Sequence, residues 1–330
     1  MNWTSRKVLV TGANGFIGSH LTERLVTLGA DVRAFCQYNS NGSWGWLDDC
    51  PPDTKDAIDA RLGDVRDSRF VENAILGVDV VFHLAALIAI PYSYAAPESF
   101  VETNIKGTLN VLEGARRSGC DRVVHASTSE VYGTPASIPI RETHPLQGQS
   151  PYSASKIAAD KLCEAYHASF SVPVVVVRPF NTYGPRQSTR AVLPTILVQL
   201  LRGDREVRLG RLDTKRDLTF VTDTVEGFVS AGSKERLEGE VIQLGTGRMV
   251  SVAEMFEAAR AALGVEATVK QEEARFRPEA SEVEELLSDP AKARRLLDWS
   301  ATVTLEDGLR RTAHWLEQNL HLYDSGRYHV

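Results

Sequence analysis

The sequence has little cysteine and no long apolar run. Its four cysteines, Cys36, Cys50, Cys120 and Cys163, stand far apart, and no Cys-x-x-Cys pair occurs. That spacing argues against a zinc site and against a disulfide framework, so no metal is expected. Reduced thiols fit a cytoplasmic protein. No hydrophobic stretch reaches the ~20 residues needed to cross a bilayer. The N-terminus reads as a strand, Lys7–Thr11, running into a glycine turn, rather than as a signal peptide. Basic residues are not in excess: the formal net charge is -6. Neither nucleic acid nor a membrane is therefore an expected partner. Repeats and low-complexity tracts are also lacking. The acidic residues between Glu272 and Glu285 read as a solvated face.

What is present is alternation. The chain has 330 residues, 43% of them hydrophobic, enough for one large or two modest domains. Val8–Val10 is a short apolar run. From Phe16 to Gly29 the spacing is helical, with Ile17, Leu21, Leu25 and Leu28 on one face. Strand-like runs follow at Val32–Phe35, Val78–Leu84, Arg122–Ala126 and Val172–Val177. Helical spacing separates the later ones, at Ser99–Ser118 and Tyr152–Phe170. Such alternation predicts βαβ units and a parallel sheet covered on both faces, the α/β class.

From about Arg178 turn residues become frequent and elements shorten. Leu193–Leu201, Ser251–Leu263, Pro290–Leu297 and Leu305–Asn319 look helical. The division expected is residues 1–178 for a cofactor domain and 179–330 mainly for a smaller mixed α/β substrate domain. Leu218–Val221 and Val241–Leu244 are candidate strands that return to the first domain, giving returns near 218–229 and 241–245.

Gly12-Ala13-Asn14-Gly15-Phe16-Ile17-Gly18 joins the first strand to the first helix. Gly12 permits the tight turn, Gly15 the approach of a pyrophosphate, and Gly18 close packing of helix on sheet. The helix N-terminus then favours the phosphate charge. This context predicts a Rossmann-type doubly wound sheet that binds a dinucleotide. Around Cys36-Gln37-Tyr38-Asn39, where the second strand should end, there is no carboxylate for the ribose hydroxyls and no arginine for a 2′-phosphate. Arg33 reads as a solvated side chain within the strand. NAD is favoured over NADP. Asp64-Val65 either holds the adenine edge or forms a plain turn.

Tyr152 and Lys156 are four apart on a predicted helix that starts at Ser150-Pro151, so they share a face. A free phenol has a pKa of about 10, too high for a base at neutral pH. A neighbouring ammonium and a cationic nicotinamide favour the phenolate. Upstream, Ser127-Thr128-Ser129-Glu130-Val131-Tyr132-Gly133 follows the strand Arg122–Ala126 and should face the nicotinamide. Thr128 is placed to hydrogen-bond an oxidised hydroxyl. Glu130 either caps a turn or serves as a base, which a dehydratase needs to remove a proton beside a new ketone.

These segments carry a resemblance. The glycine turn, His83-Leu84-Ala85-Ala86, Ser-Thr-Ser-Glu-Val-Tyr-Gly, Ser-Pro-Tyr-Ser-Ala-Ser-Lys and Arg178-Pro179-Phe180-Asn181-Thr182-Tyr183-Gly184-Pro185 resemble the NAD-dependent epimerase/dehydratase family of extended short-chain dehydrogenases. Within it the chain is most similar to nucleotide-sugar 4,6-dehydratases of the legionaminic-acid pathway type, which act on a nucleotide-linked N-acetylglucosamine. The narrower likeness lies in Phe35–Asp48 and Leu84–Tyr94. Trp44 and Trp46, within it, read equally as a packed surface loop.

The resemblance implies a set of roles. Gly12, Asn14, Gly15, Phe16, Ile17, Gly18, Asp64, Val65, Leu84, Ala85 and Ala86 would bind NAD, with Tyr152 and Lys156. Thr128, Ser129, Glu130, Tyr152 and Lys156 would be catalytic. Ser93, Asn181, Arg186, Arg216 and Arg277 would meet a nucleotide-diphosphate sugar, the two last at the diphosphate, and Asn104 would order the strand–helix junction beside the site. A homodimer through a four-helix bundle is also implied, with Ile105, Leu109, Leu112, Ile157, Leu162 and Tyr166 offering apolar stripes. Ser129 stands where thymidine-diphosphoglucose dehydratases carry an aspartic acid, which leaves the acid for the departing hydroxyl open. The expected activity is 4,6-dehydration. A C4 epimerase, a nucleotide-glucuronate decarboxylase and a non-catalytic dinucleotide sensor are the alternatives.

Overall fold

Four consecutive valines, Val174–Val177, leave no polar face for water, and all four are buried. In the computed structural model, which describes residues 2–323, they lie inside a parallel sheet. The strands in chain order are β1 (Lys7–Thr11), β2 (Asp31–Gln37), β3 (Ile58–Gly63), β4 (Val80–His83), β5 (Arg122–Ala126), β6 (Val174–Pro179), β7 (Asn181–Tyr183), β8 (Glu206–Leu209), β9 (Lys215–Phe220), β10 (Val241–Leu244), β11 (Met249–Ser251), β12 (Thr268–Gln271) and β13 (Glu285–Leu286). The main sheet has the order β10-β6-β5-β4-β1-β2-β3, every pairing parallel. It is a Rossmann-type sheet. Chain order reverses between β1 and β4, and a crevice for ligands opens beyond the carboxyl ends of the strands there.

The helix Phe16–Thr27 follows β1, and Pro151–Phe170 precedes β6. Ser150 caps the latter: its hydroxyl accepts from Ser153 N at 3.1 Å, and Ser153 Oγ accepts from Ser150 N at 3.0 Å. Pro151 at its first position has no N–H to leave unpaired.

The expected helix Ser99–Ser118 is interrupted. A short helix Pro97–Phe100 leads into a π-helical turn, Val101–Lys106, before the regular helix Gly107–Ser118. Such turns often mark functional positions, and Asn104 sits within this one.

The candidate return at Leu218–Val221 takes another place. Its strand, β9, belongs to a smaller sheet, antiparallel to β11 and parallel to β7 and β13. The helix after it, Val221–Ser233, packs on the first helix and on β5 and β6. β10 then joins the main sheet beside β6. The main sheet thus takes one strand from beyond residue 179, while the smaller sheet and the β8–β12 pair stand apart from it. Residues 324–330, included in the expected second domain, lie outside the described residues.

Candidate active site

The cofactor crevice is built by close backbone contact. Gly12 has φ +71, and a methyl there would lie 2.8 Å from Ala85 N, on the loop after β4. A methyl on Gly18 would lie 2.1 Å from Gly12 O. Ala85 N donates to Thr11 Oγ1 at 3.2 Å, so Leu84, Ala85 and Ala86 form the wall facing the turn. The helix opening at Phe16 has no side-chain cap and no acid in its first turn. Its terminal N–H groups suit a pyrophosphate. Ile17 and Phe16 pack on the core behind them. Asn14 Oδ1 accepts from Gln37 N at 3.3 Å, tying the turn to the end of β2.

Beyond β2 and β3, Gln37, Tyr38, Leu62, Gly63, Asp64, Arg66 and Phe70 line a cleft. Asp64 is locked by Arg66, whose Nη2 lies 2.5 Å from Oδ2, and this holds the carboxyl below its ordinary value. Val65 is buried and accepts from Asn110 Nδ2 at 3.0 Å. Arg33 is not solvated: it pairs with Asp59 at 3.1 Å and donates to Ala74 O at 2.6 Å. Trp46 meets Trp315 edge-on at 5.5 Å, so this loop is packed.

Tyr152 is buried beside Ile90 and Phe100. Burial raises its pKa, the nearby Thr128 hydroxyl opposes that, and the Glu130 carboxylate adds to it. Thr128, Glu130 and Tyr152 are therefore neighbours. Lys156 is buried too, and its Nζ donates to Ala126 O at 2.8 Å. Burial lowers its pKa, countered first by Asp160. Ser129 is buried in the 3-10 turn Ser129–Tyr132.

Arg216 and Arg277 come together around Glu282. Burial lowers the pKa of Arg216, and Glu130 is the carboxylate that opposes this most. Glu282 stands between the two arginines, 3.4 Å from Arg216 Nη2 and 3.8 Å from Arg277 Nη1. Within the acidic cluster read as solvated, this side chain is only 10% exposed. The reason is charge: two converging guanidinium groups need an anion. The segment holding it is tied down by two hydrogen bonds, with Tyr94 Oη 2.5 Å from Ser281 Oγ and Gln149 Nε2 donating to Ala280 O at 3.2 Å. Asn181, on β7, has a buried Oδ1 with no protein partner among the described residues.

Two expected substrate residues have their polar groups engaged by the protein itself. Arg186 has φ +71 and turns to the first helix, where Nη2 meets Glu23 at 2.8 Å. The turn is fixed by His20 Nε2, 3.1 Å from Pro185 O. Ser93 is fully buried and donates its hydroxyl to Ile90 O at 2.7 Å. Asp160 is absent from the sequence reading, and Glu282 enters it only within the acidic cluster read as solvated. Asp160 had a signal, since it extends the Tyr152–Lys156 spacing by one more step of four.

The model of the GDP-mannose 4,6 dehydratase family matches residues 9–312. The chain belongs to this family, among the NAD-dependent epimerases and dehydratases. The dTDP-glucose 4,6-dehydratase of an Actinoplanes species is 32% identical over 95% of this chain and 98% of that protein. The UDP-glucose 4-epimerase of Mycolicibacterium smegmatis is 31% identical, over 94% and 98%. The solved UDP-glucuronic acid 4-epimerase of Bacillus cereus, in complex with UDP-glucuronic acid and NAD, has a TM-score of 0.85, 29% identity, and covers 95% of this chain and 99% of its own.

In this epimerase/dehydratase, no cluster of His, Cys, Asp or Glu suited to a metal occurs among the described residues. Nor is any described helix long and apolar enough to cross a membrane.

Proposed function

We propose that the chain is an NAD-dependent nucleotide-sugar 4,6-dehydratase, giving a 4-keto-6-deoxy sugar nucleotide. The observation that carries this is the carboxylate of Glu130 acting electrostatically on both Tyr152 and Arg216. The glycine turn, the uncapped helix and the wall at Ala85 fit NAD. Bound NAD supplies a hydride acceptor that returns what it takes, and a positive ring that favours the phenolate.

The chain's own groups divide the remaining work. Tyr152 Oη takes the C4 hydroxyl proton, with the Thr128 hydroxyl close to the phenol and Lys156 supplying positive charge nearby. The C4 ketone acidifies C5, and Glu130 takes that proton as the C6 hydroxyl leaves. Glu130, protonated by that step, passes the proton to the leaving oxygen so that water departs, the part an aspartic acid in place of Ser129 would have played; C5 regains a proton as C6 is reduced, balanced by the one Tyr152 releases, directly or by way of solvent. Arg216 and Arg277 hold the diphosphate by their forked donors. The buried Oδ1 of Asn181 awaits a sugar or nucleotide donor.

A C4 epimerase is the second reading, supported by the epimerases among the relatives. It shares oxidation at C4 and needs no carboxylate at C5. Incubation with UDP-, GDP-, CDP- and dTDP-hexoses, followed by mass, separates the two. Loss of water from any of them supports dehydration. An unchanged mass with inverted C4 supports epimerisation.

The active form in this reading is a homodimer. Of the six apolar residues expected at the helix pair, Leu112 and Tyr166 are buried within the chain itself. Leu109, with Val101 and Phe170, remains exposed and available to a second copy. Four buried free cysteines suit the reducing cytoplasm.

A further inference from the structure

Behind the catalytic pair lies a buried charged cluster. Tyr152, Lys156 and Asp160 follow one another at steps of four on the helix Pro151–Phe170, so they form one stripe against the sheet. Asp160 Oδ2 accepts from Arg178 at 3.0 Å from Nε and 2.9 Å from Nη2. Its other oxygen lies 3.6 Å from His125 Nε2. That same imidazole nitrogen is 3.5 Å from Lys156 Nζ. Arg178 also donates to Tyr132 Oη at 3.1 Å, and Tyr132 donates to Gln243 Oε1 on β10 at 3.1 Å. Asp160 and Arg178 are both nearly inaccessible to solvent, at 4% each.

The groups facing Lys156 can be named from every side. β4 brings His83 and β5 brings His125, both kept neutral by burial. β6 brings Arg178. The helix itself brings Tyr152, Asp160 and Cys163, whose thiol burial keeps protonated. Tyr132 lies beyond Arg178, and Glu130 faces Tyr152 and Arg216. Two cations, Lys156 and Arg178, therefore share one anion. A buried cation without a partner sheds its proton rather than remain charged.

We propose that Asp160 is a positioning residue for the catalytic pair: fixed by Arg178, its carboxylate keeps Lys156 an ammonium below Tyr152. It touches neither sugar nor cofactor and acts through Lys156. The assignment rests on the reading of Tyr152 and Lys156 as the catalytic pair. It also links that pair to the end of β6, two residues before Phe180 and three before Asn181.

The test follows the charge of Lys156 directly and needs no substrate. The NAD-loaded protein is labelled with carbon-13 at the lysine Cε, and the Lys156 signal is identified by its loss in Lys156→Met. Its pH titration is compared across variants. In Asp160→Asn the midpoint should fall by about one pH unit or more, because an opposite charge has gone. In Asp160→Glu it should stay near the parent value. In Arg178→Gln it should rise, since the carboxylate then serves Lys156 alone. A purely structural role would lower thermal stability in these variants without moving the midpoint in opposite directions. A folded Asp160→Asn protein with the parent midpoint overturns the proposal. If that variant does not fold, an Arg178→Gln midpoint that fails to rise overturns it. Full turnover by Tyr152→Phe would instead remove the catalytic reading, and the lysine titration would still report on Asp160.

Discussion

Asn104 Nδ2 donates to Ser155 Oγ at 2.9 Å, while the same side chain accepts from Leu87 N at 2.8 Å and donates to Leu87 O at 2.9 Å. One amide thus fastens the loop after β4 to the helix carrying Tyr152. Asn104→Ala leaves the Leu87 backbone groups without these bonds. A loss of about 1–3 kcal/mol is expected. Denaturant unfolding of the variant, beside the parent, checks it. An unchanged midpoint would show that water replaces the amide without cost.

Glu130→Gln keeps shape and removes the base. Net turnover should fall by ~10²–10⁴. Oxidation at C4 should persist, so reduced nicotinamide absorbance should build up after mixing with sugar nucleotide. A variant that releases dehydrated product at the parent rate would refute the role of this carboxylate.

Gly18→Ala forces a methyl to within 2.1 Å of Gly12 O, a backbone atom that no rotamer change can move. The turn must shift. Overpacking of this kind typically costs about 1–3 kcal/mol. NAD affinity, read by calorimetry, should drop with it. Gly42→Ala is the control, because nothing lies near its added methyl, although its φ of +66 imposes some strain of its own.

Arg216→Lys retains charge but loses the fork. Binding of UDP and GDP should each weaken by about tenfold or more. In turnover the change should fall on KM rather than kcat, as expected for a group that holds substrate and transition state alike. Equal loss in kcat would place Arg216 nearer the reacting carbon.

Burial lowers the His125 pKa to about 4 and that of His83 well below its ordinary value. The unfolded chain therefore binds these protons first. Their contribution is complete above about pH 6.5 and shrinks as pH falls toward the folded value. Thermal stability should decline steadily across that window. His125→Gln should flatten the decline. A parallel curve for the variant would assign the acid sensitivity to other groups.

Much of the cofactor half can be read from spacing. β1, the glycine turn and the first helix announce themselves because strand and helix periods meet at glycines that nothing else replaces. β3 does not: Ile58-Asp59-Ala60-Arg61-Leu62-Gly63 is an edge strand with only its ends buried, so it lacks an apolar run. The π-helical turn around Asn104 is invisible because it keeps the helical composition. Arg186 and Arg216 look alike in sequence. Their fates differ because one follows a left-handed turn toward Glu23, and the other lies on a strand beneath Glu282. Pairings across long separations decide this, and local pattern does not carry them.

β10 enters the main sheet only after the chain has built β7 to β9 elsewhere. A fragment ending at Pro179 would lack that edge strand and the helix Val221–Ser233, leaving the valines of β6 uncovered. The halves cannot be cloned apart as independent modules. Exchanging the sugar-binding portion between relatives therefore requires three splice points, one before β7, one ahead of Val221 and one after β10, with the returning piece left in its native host.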